Sequence, residues 1–200
     1  MLAEYGIIMA KGIQKFKNQL INIIDNVENE LTHLLREMLS ELFESFLKIN
    51  ERIKYYDKKV KAIFHNSADC QKISKLRGIG PLTATGIVAA IGNPHFFQNG
   101  RHCSAWLGLV PRQHSSGGKE KLLGISKRGD SYLRSILIQG CQAVIRWCHH
   151  KNDPQSIWLN KLIARCGKNK AAVALANKNV RVIWALLAKK EEYHAPLICT

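Results

Sequence analysis

Leu76-Arg77-Gly78-Ile79-Gly80-Pro81-Leu82-Thr83-Ala84-Thr85-Gly86-Ile87-Val88-Ala89-Ala90-Ile91-Gly92 is the stretch whose reading decides the fold class. Proline fixes φ near the helical value and lacks the N–H that a first turn leaves unpaired, so Pro81 opens a helix. An Ala/Thr/Ile-rich run follows, and Gly92 closes it. Ahead of the proline, Gly78-Ile79-Gly80 frees the backbone for a tight turn and for close approach to a ligand.

Further along the chain, the spacing predicts a short helix over Asn99–Leu107. Residues 108–128 read as loop, with short strands at most. Asp130 is a suitable N-cap for a helix over Ser131–His150, and two more helices follow at about 155–166 and 169–189, the first ended by Gly167. Toward the N-terminus, Leu20, Ile24, Val27, Leu31, Leu34, Met38, Leu42, Phe46, Ile49, Ile53, Tyr56, Val60 and Ile63 recur at steps of three and four. That spacing winds one apolar stripe around a helix, as in a coiled coil. Asn26–Thr32 holds weak helix formers, so the stripe is either one long helix or an antiparallel pair. It ends at the polar His65–Asp69. The expected architecture is mainly α: linker and coiled-coil helices over 1–68, then a small α-rich domain over 69–200. A partnerless stripe of this length predicts a homo-oligomer through residues 14–64.

The charge divides where the composition does. Residues 1–70 hold ten Lys/Arg and ten Asp/Glu, so the whole net charge of +15 lies in the remaining 130 residues. A field of that sign attracts polyanions, and nucleic acid is the commonest of them. No run reaches the roughly 18–20 uninterrupted apolar residues of a membrane span. Residues 1–12 lack a basic leader, so a non-secreted, cytoplasmic protein without a membrane partner is expected. The six cysteines form no Cys-x-x-Cys pair, which fits reduced, buried thiols better than disulfides or zinc.

Two segments carry candidate chemistry. Gly78-Ile79-Gly80-Pro81-Leu82-Thr83 reads as a helix-hairpin-helix-like turn. Backbone N–H groups at the positive end of a helix dipole are where a phosphate sits, with Lys72, Lys75 and Arg77 nearby. The plainer reading is a loop-to-helix junction. The second segment runs from Arg112 to Arg134 and holds six Lys/Arg against two acids. It includes Arg112, Lys119, Lys127, Arg128 and Arg134, candidates for phosphate contact, around Ser115-Ser116-Gly117-Gly118. A serine hydroxyl becomes a nucleophile when something accepts its proton or stabilises the charge it develops, and His114 is a possible acceptor. Phosphoryl transfer rewards positioning and positive charge. On these residues alone, a serine loop that binds phosphate without covalent chemistry is the better reading. The basic part offers no convergent carboxylates, so no metal site is expected within this chain.

Taken in order, Gly78-Ile79-Gly80-Pro81-Leu82-Thr83-Ala84, Ala105-Trp106-Leu107-Gly108-Leu109-Val110-Pro111, Ser116-Gly117-Gly118, Gly124-Ile125-Ser126-Lys127-Arg128-Gly129-Asp130 and Leu133-Arg134 resemble the C-terminal domain of the insertion-sequence one-hundred-ten type DEDD transposases, which are guided by a bridge RNA. Leu2-Ala3-Glu4-Tyr5-Gly6-Ile7 resembles the family's segment between its two domains. The resemblance implies a DNA recombinase in which a serine attacks a DNA phosphodiester and becomes covalently linked to it. By motif position that serine is Ser116, with Ser115 as the alternative. It also implies a partner domain, RuvC-like, that holds Mg2+ on four carboxylates. No motif of that domain stands in this sequence, so Mg2+ is expected only with it. The expectation is a truncated copy or the second half of a split element. It is prokaryotic, binds DNA and bridge RNA, and lies on the nucleoid when DNA-bound. The alternative is a catalytically inactive DNA- or RNA-binding remnant.

Overall fold

A computed structural model describes the backbone of residues 2–116 and 119–193, and their side chains except at 115–122. The contacts divide the chain into residues 1–58 and 59–200.

In the first unit, α1 (Ile13–Asp25) and the start of α2 (His33–Asn66) form the antiparallel pair rather than one rod. Phe16 and Phe46 meet edge to face with centroids 5.5 Å apart, and Leu20, Leu31, Leu35 and Leu39 are buried between the helices. The intervening turn is held from two sides. The Asn26 side chain accepts the Glu28 N–H, a local bond that competes with helix. The Arg36 guanidinium donates to the carbonyls of Ile24 at 2.7 Å and Asn29 at 2.8 Å. A cation on the last carbonyls of α1 also suits that end of the helix dipole. Leu34, Leu42, Ile49, Ile53 and Tyr56 of α2 stay exposed.

The second unit is built around α8 (Lys168–Lys189). Its buried residues, Ala171, Ala172, Leu175, Ala176, Asn179, Val180, Ile183 and Leu186, recur at helical spacing and face α5 (Gly100–Trp106), α6 (Ser131–Trp147) and α7 (Pro154–Cys166). This helix is long and apolar enough by composition to cross a membrane. Half of its most apolar stretch, however, is buried inside the fold, as in a core helix. Around it, Ile73, Ile87, Leu107, Leu137 and Leu159 are fully buried, each contributing roughly 1.5–3 kcal/mol of burial free energy.

Helix α4 (Pro81–Ile91) begins at Pro81 and ends at Gly92, as its composition dictates. It is preceded by a short α3 (Ala68–Ser74), capped by Ser67. The polar His65–Asp69 stretch thus holds a helix start, and α3, turn and α4 make the hairpin element. Asp130 caps α6 by accepting the N–H groups of Tyr132 and Leu133. Residues 108–128 contain more order than a loop. Strands β1 (Pro111–Ser116) and β2 (Lys119–Ile125) pair antiparallel. Leu123 and Gly124 of β2 stand against Arg112 alone, a bulge of the kind that bends a strand and re-aims its side chains.

Candidate nucleic-acid interface

The interface begins at the turn between α3 and α4. Gly78 has φ +86, and a Cβ there would lie 2.9 Å from the Gly140 carbonyl oxygen of α6. Two glycines let turn and helix touch backbone to backbone, so Gly78 is explained by packing. Gly80 is exposed, has an ordinary φ and meets nothing within 4 Å. As N-cap it offers no side chain to the amides of Leu82 and Thr83, which leaves the positive end of α4 without an internal acceptor. Two of the cations expected to serve this turn are already engaged. Lys75 bonds Glu192 at 2.6 Å, and Arg77 bonds Asp153 at 2.8 Å. Burial by itself would raise the Asp153 carboxyl. Hydrogen bonds from Arg77 and Ser156, with the Arg77 charge, outweigh it and hold the group down at about 2. The Arg77 carbonyl accepts from buried Asn179 of α8 at 2.9 Å, which pins the turn from beneath.

The second part of the interface is the base of the β1–β2 hairpin, where two segments interlock. The Lys127 N–H donates to Gly108 O at 3.2 Å and the Ser126 N–H to Val110 O at 2.8 Å. Gly108 (φ +70) and Gly129 (φ +79) both lie in the left-handed region, and a Cβ on either would collide with backbone oxygen, of Arg128 and Trp106 respectively. Lys127 is itself left-handed at φ +55, an unusual conformation for a side-chain-bearing residue. Arg134 spans the junction. Its Nη1 donates to the carbonyls of Leu107 at 3.3 Å and Arg128 at 3.1 Å. That guanidinium nitrogen holds the loop together, a task not anticipated when Arg134 is grouped with the phosphate contacts. On the far side, Asn177 donates to Ser104 Oγ at 2.6 Å and Leu109 O at 3.1 Å.

The result is a rigid platform with its cations turned outward. Arg112, Lys127 and Arg128 are exposed and have no acidic partner among the described residues. Ser115 and Ser116 lie on strand β1 rather than in a loop, with Ser116 opposite Lys119 and Ser115 opposite Glu120. Their side chains and that of Lys119 lie outside the described residues, as do Gly117 and Gly118. His114 is exposed, two positions along the same strand from Ser116. Among the described residues no group of three or more His, Cys, Asp or Glu is placed to hold a metal ion. The Cys103 and Cys141 thiols are pushed up to about 12 by burial, so both are protonated at neutral pH.

Asn177 and Asn179 are the positioning residues that sequence reasoning missed. Their signal was two amides two residues apart inside an apolar helix, where an unpaired polar group is costly and a partner is therefore required.

Residues 70–156 match the family described as Transposase IS116/IS110/IS902 family. The chain is 45% identical over 193 residues to the transposase for insertion sequence element IS1111A of Coxiella burnetii, covering 96% of this chain and 53% of that protein. It is 40% identical over 194 residues to a probable family 20 transposase of Pseudomonas aeruginosa, covering 96% and 57%. It is 33% identical over 185 residues to the transposase for insertion sequence element IS1328 of Yersinia enterocolitica, covering 92% and 54%. The chain thus spans about half the length of the curated relatives it matches.

Proposed function

From the match of residues 70–156 to the IS116/IS110/IS902 transposase family, we propose that this chain is the DNA-gripping and strand-transferring half of a transposase. The observation that carries the reading is the platform itself. Arg112, Lys127 and Arg128, without acidic partners among the described residues, stand toward the base of the hairpin whose first strand ends in Ser116, on a backbone locked by Gly108, Gly129 and Arg134. In this reading the Ser116 hydroxyl oxygen attacks a DNA phosphorus, with Ser115 as the alternative. The hydroxyl proton passes to a base such as His114, and the displaced sugar oxygen leaves carrying a proton. The cations and the α4 N-terminus at Gly80 hold backbone phosphates, which positions DNA without reading its sequence.

The resemblance implies Mg2+ on carboxylates of a partner domain, where it would supply charge stabilisation for phosphoryl transfer. The DNA partner, a bridge RNA, the cytoplasmic and nucleoid location, and self-association through the exposed face of α2 are parts of the same proposal.

The test combines this chain with the carboxylate-bearing segment of a relative and labelled element-end DNA, and looks for a covalent protein–DNA species on a denaturing gel. Adduct formed by the wild type and abolished by Ser116→Ala supports the assignment. Adduct retained in Ser116→Ala and lost in Ser115→Ala moves the nucleophile by one residue. Adduct that survives both substitutions overturns it. If no adduct forms with any variant while salt-sensitive DNA binding persists, the binding-remnant reading stands in its place.

A further inference from the structure

Two of the five acids among residues 71–200, Glu191 and Glu192, stand side by side just beyond α8, so where they lie matters in a part of the chain this basic. Lys190 ends the helix in the left-handed region at φ +55. That conformation turns the chain off the helix axis, and a lysine adopts it rarely. The three residues that follow lie beside the α3–α4 turn. Glu191, Glu192 and Tyr193 line one groove with Leu76. Tyr193 packs half-buried against the core, and Glu192 accepts from the Lys75 ammonium at 2.6 Å.

The two cations of this turn are engaged in different ways. Arg77 also donates to Ser156 Oγ at 3.3 Å, and its partner Asp153 caps α7, so that pair is built into the fold. The Lys75–Glu192 pair is open to water on both sides, with the two side chains 52% and 63% exposed. An ion pair so exposed adds little to stability and yields readily to a competing anion. Its position gives it a consequence. The Ile79 N–H donates to Leu76 O at 3.1 Å, closing a turn whose ends lie within about 7 Å, and Lys75 and Gly80 flank those ends. The Glu192 carboxylate therefore occupies a cation at the rim of the turn that leads to the open amides of α4, the place assigned above to a backbone phosphate.

We propose that residues 190–193 form an autoinhibitory strap, in which the Glu192 carboxylate stands in for a phosphate at Lys75 until a polyanion displaces it. The proposal rests on the DNA-gripping reading and adds a means of regulating it. Tyr193 anchors the strap, which keeps the carboxylate at high effective concentration beside Lys75, so a weak pair is enough to cover the cation. On displacement Lys75 exchanges one anion for another, and Glu192 passes to solvent. A lone phosphate ion competes poorly with a tethered carboxylate. A polyanion, held at several phosphates at once, competes well. The strap thus reserves the turn for an extended ligand.

The experiment measures fluorescence anisotropy of a labelled hairpin duplex with the full chain across a salt series, and circular dichroism verifies the folding of each variant. Glu191→Gln removes one negative charge from the strap without touching the Lys75–Glu192 pair, so it reads the effect of net charge alone. Glu192→Gln is expected to tighten binding about two- to fivefold more than Glu191→Gln does, the factor to which an exposed ion pair corresponds. It should also steepen the salt slope by roughly 0.9, the value for one added phosphate contact on a duplex. In a Lys75→Gln background the gain from Glu192→Gln should shrink to that from Glu191→Gln. Tyr193→Ala, which leaves every charge in place, should also tighten binding. Equal gains from the two glutamate variants overturn the proposal, and so does a gain that survives Lys75→Gln; both results leave the DNA-gripping reading standing. Wild-type affinity in folded Tyr193→Ala overturns the anchor. Absence of duplex binding in every variant overturns the DNA-gripping reading and the strap with it.

Discussion

Gly129→Ala is the sharpest test of the interlocked platform. An L-residue at φ +79 costs roughly 1–2 kcal/mol. The new methyl would also occupy the position of the Trp106 carbonyl oxygen, so the two segments must part. Parting them loses the Lys127–Gly108 and Ser126–Val110 backbone bonds and the hold of Arg134 on Leu107, each worth about 0.5–1.5 kcal/mol net. The total is roughly 2.5–6.5 kcal/mol, against the ~5–15 kcal/mol of a typical domain. In thermal melts of the full chain this appears as a fall on the order of 10 °C. Gly80→Ala is the control: its φ is ordinary and no atom lies within 4 Å, so it should cost less than about 1 kcal/mol. If Gly129→Ala melts with the control, the segments do not interlock, and the rigidity attributed to the platform is wrong.

Other consequences follow from single contacts. Asp153 is held at about 2 against an ordinary 3.8, so its contribution is complete above pH ~4 and is lost as pH falls from there toward 2. Asp153→Asn keeps a competent N-cap for α7, yet in urea melts at neutral pH it should lose about 1–2 kcal/mol, discounted for partial exposure. The gap from wild type should close near pH 2. Asn179→Ala strips the Arg77 carbonyl of its buried donor and should cost about 1–3 kcal/mol; an unchanged denaturation midpoint would contradict that bond. Cys103 and Cys141, protonated through burial, should resist alkylation at pH 8 until the chain unfolds, whereas half-exposed Cys166 reacts first among the described thiols. Peptide mapping after timed alkylation distinguishes these cases.

Much of the helical layout was legible because its boundaries are local. Pro81, Gly92, Asp130 and Gly167 each fix a terminus through their own backbone or side-chain chemistry, with no help from distant residues. The apolar stripe left a choice that Asn26–Thr32 resolved as a turn only with Arg36 reaching back across it, a contact that periodicity does not encode. The β1–β2 hairpin was legible as short strands within a loop, but their pairing was not. Its signal, two glycines between short runs of six and seven residues, is weak where charges replace the usual alternation of apolar and polar side chains. At the candidate site, charge and motif order picked out the right segment but not the division of labour within it. Lys75, Arg77 and Arg134 look like other basic residues in the sequence. Only the placement of Glu192, Asp153 and the Leu107 carbonyl separates the cations already spent on structure from those still turned to solvent.

The Gly78–Gly140 contact makes α6 a calliper. Its first jaw is the capped start at Asp130, beside Lys127 and Arg128; its second is Gly140, seated against the turn that leads to Gly80. Ten residues at a rise of 1.5 Å set the gap at about 15 Å, close to four nucleotide steps of roughly 3.4 Å. A polyanion held by both jaws would have its local extension measured by a helix of fixed length, since any side chain larger than hydrogen at Gly78 or Gly140 would part the turn from α6.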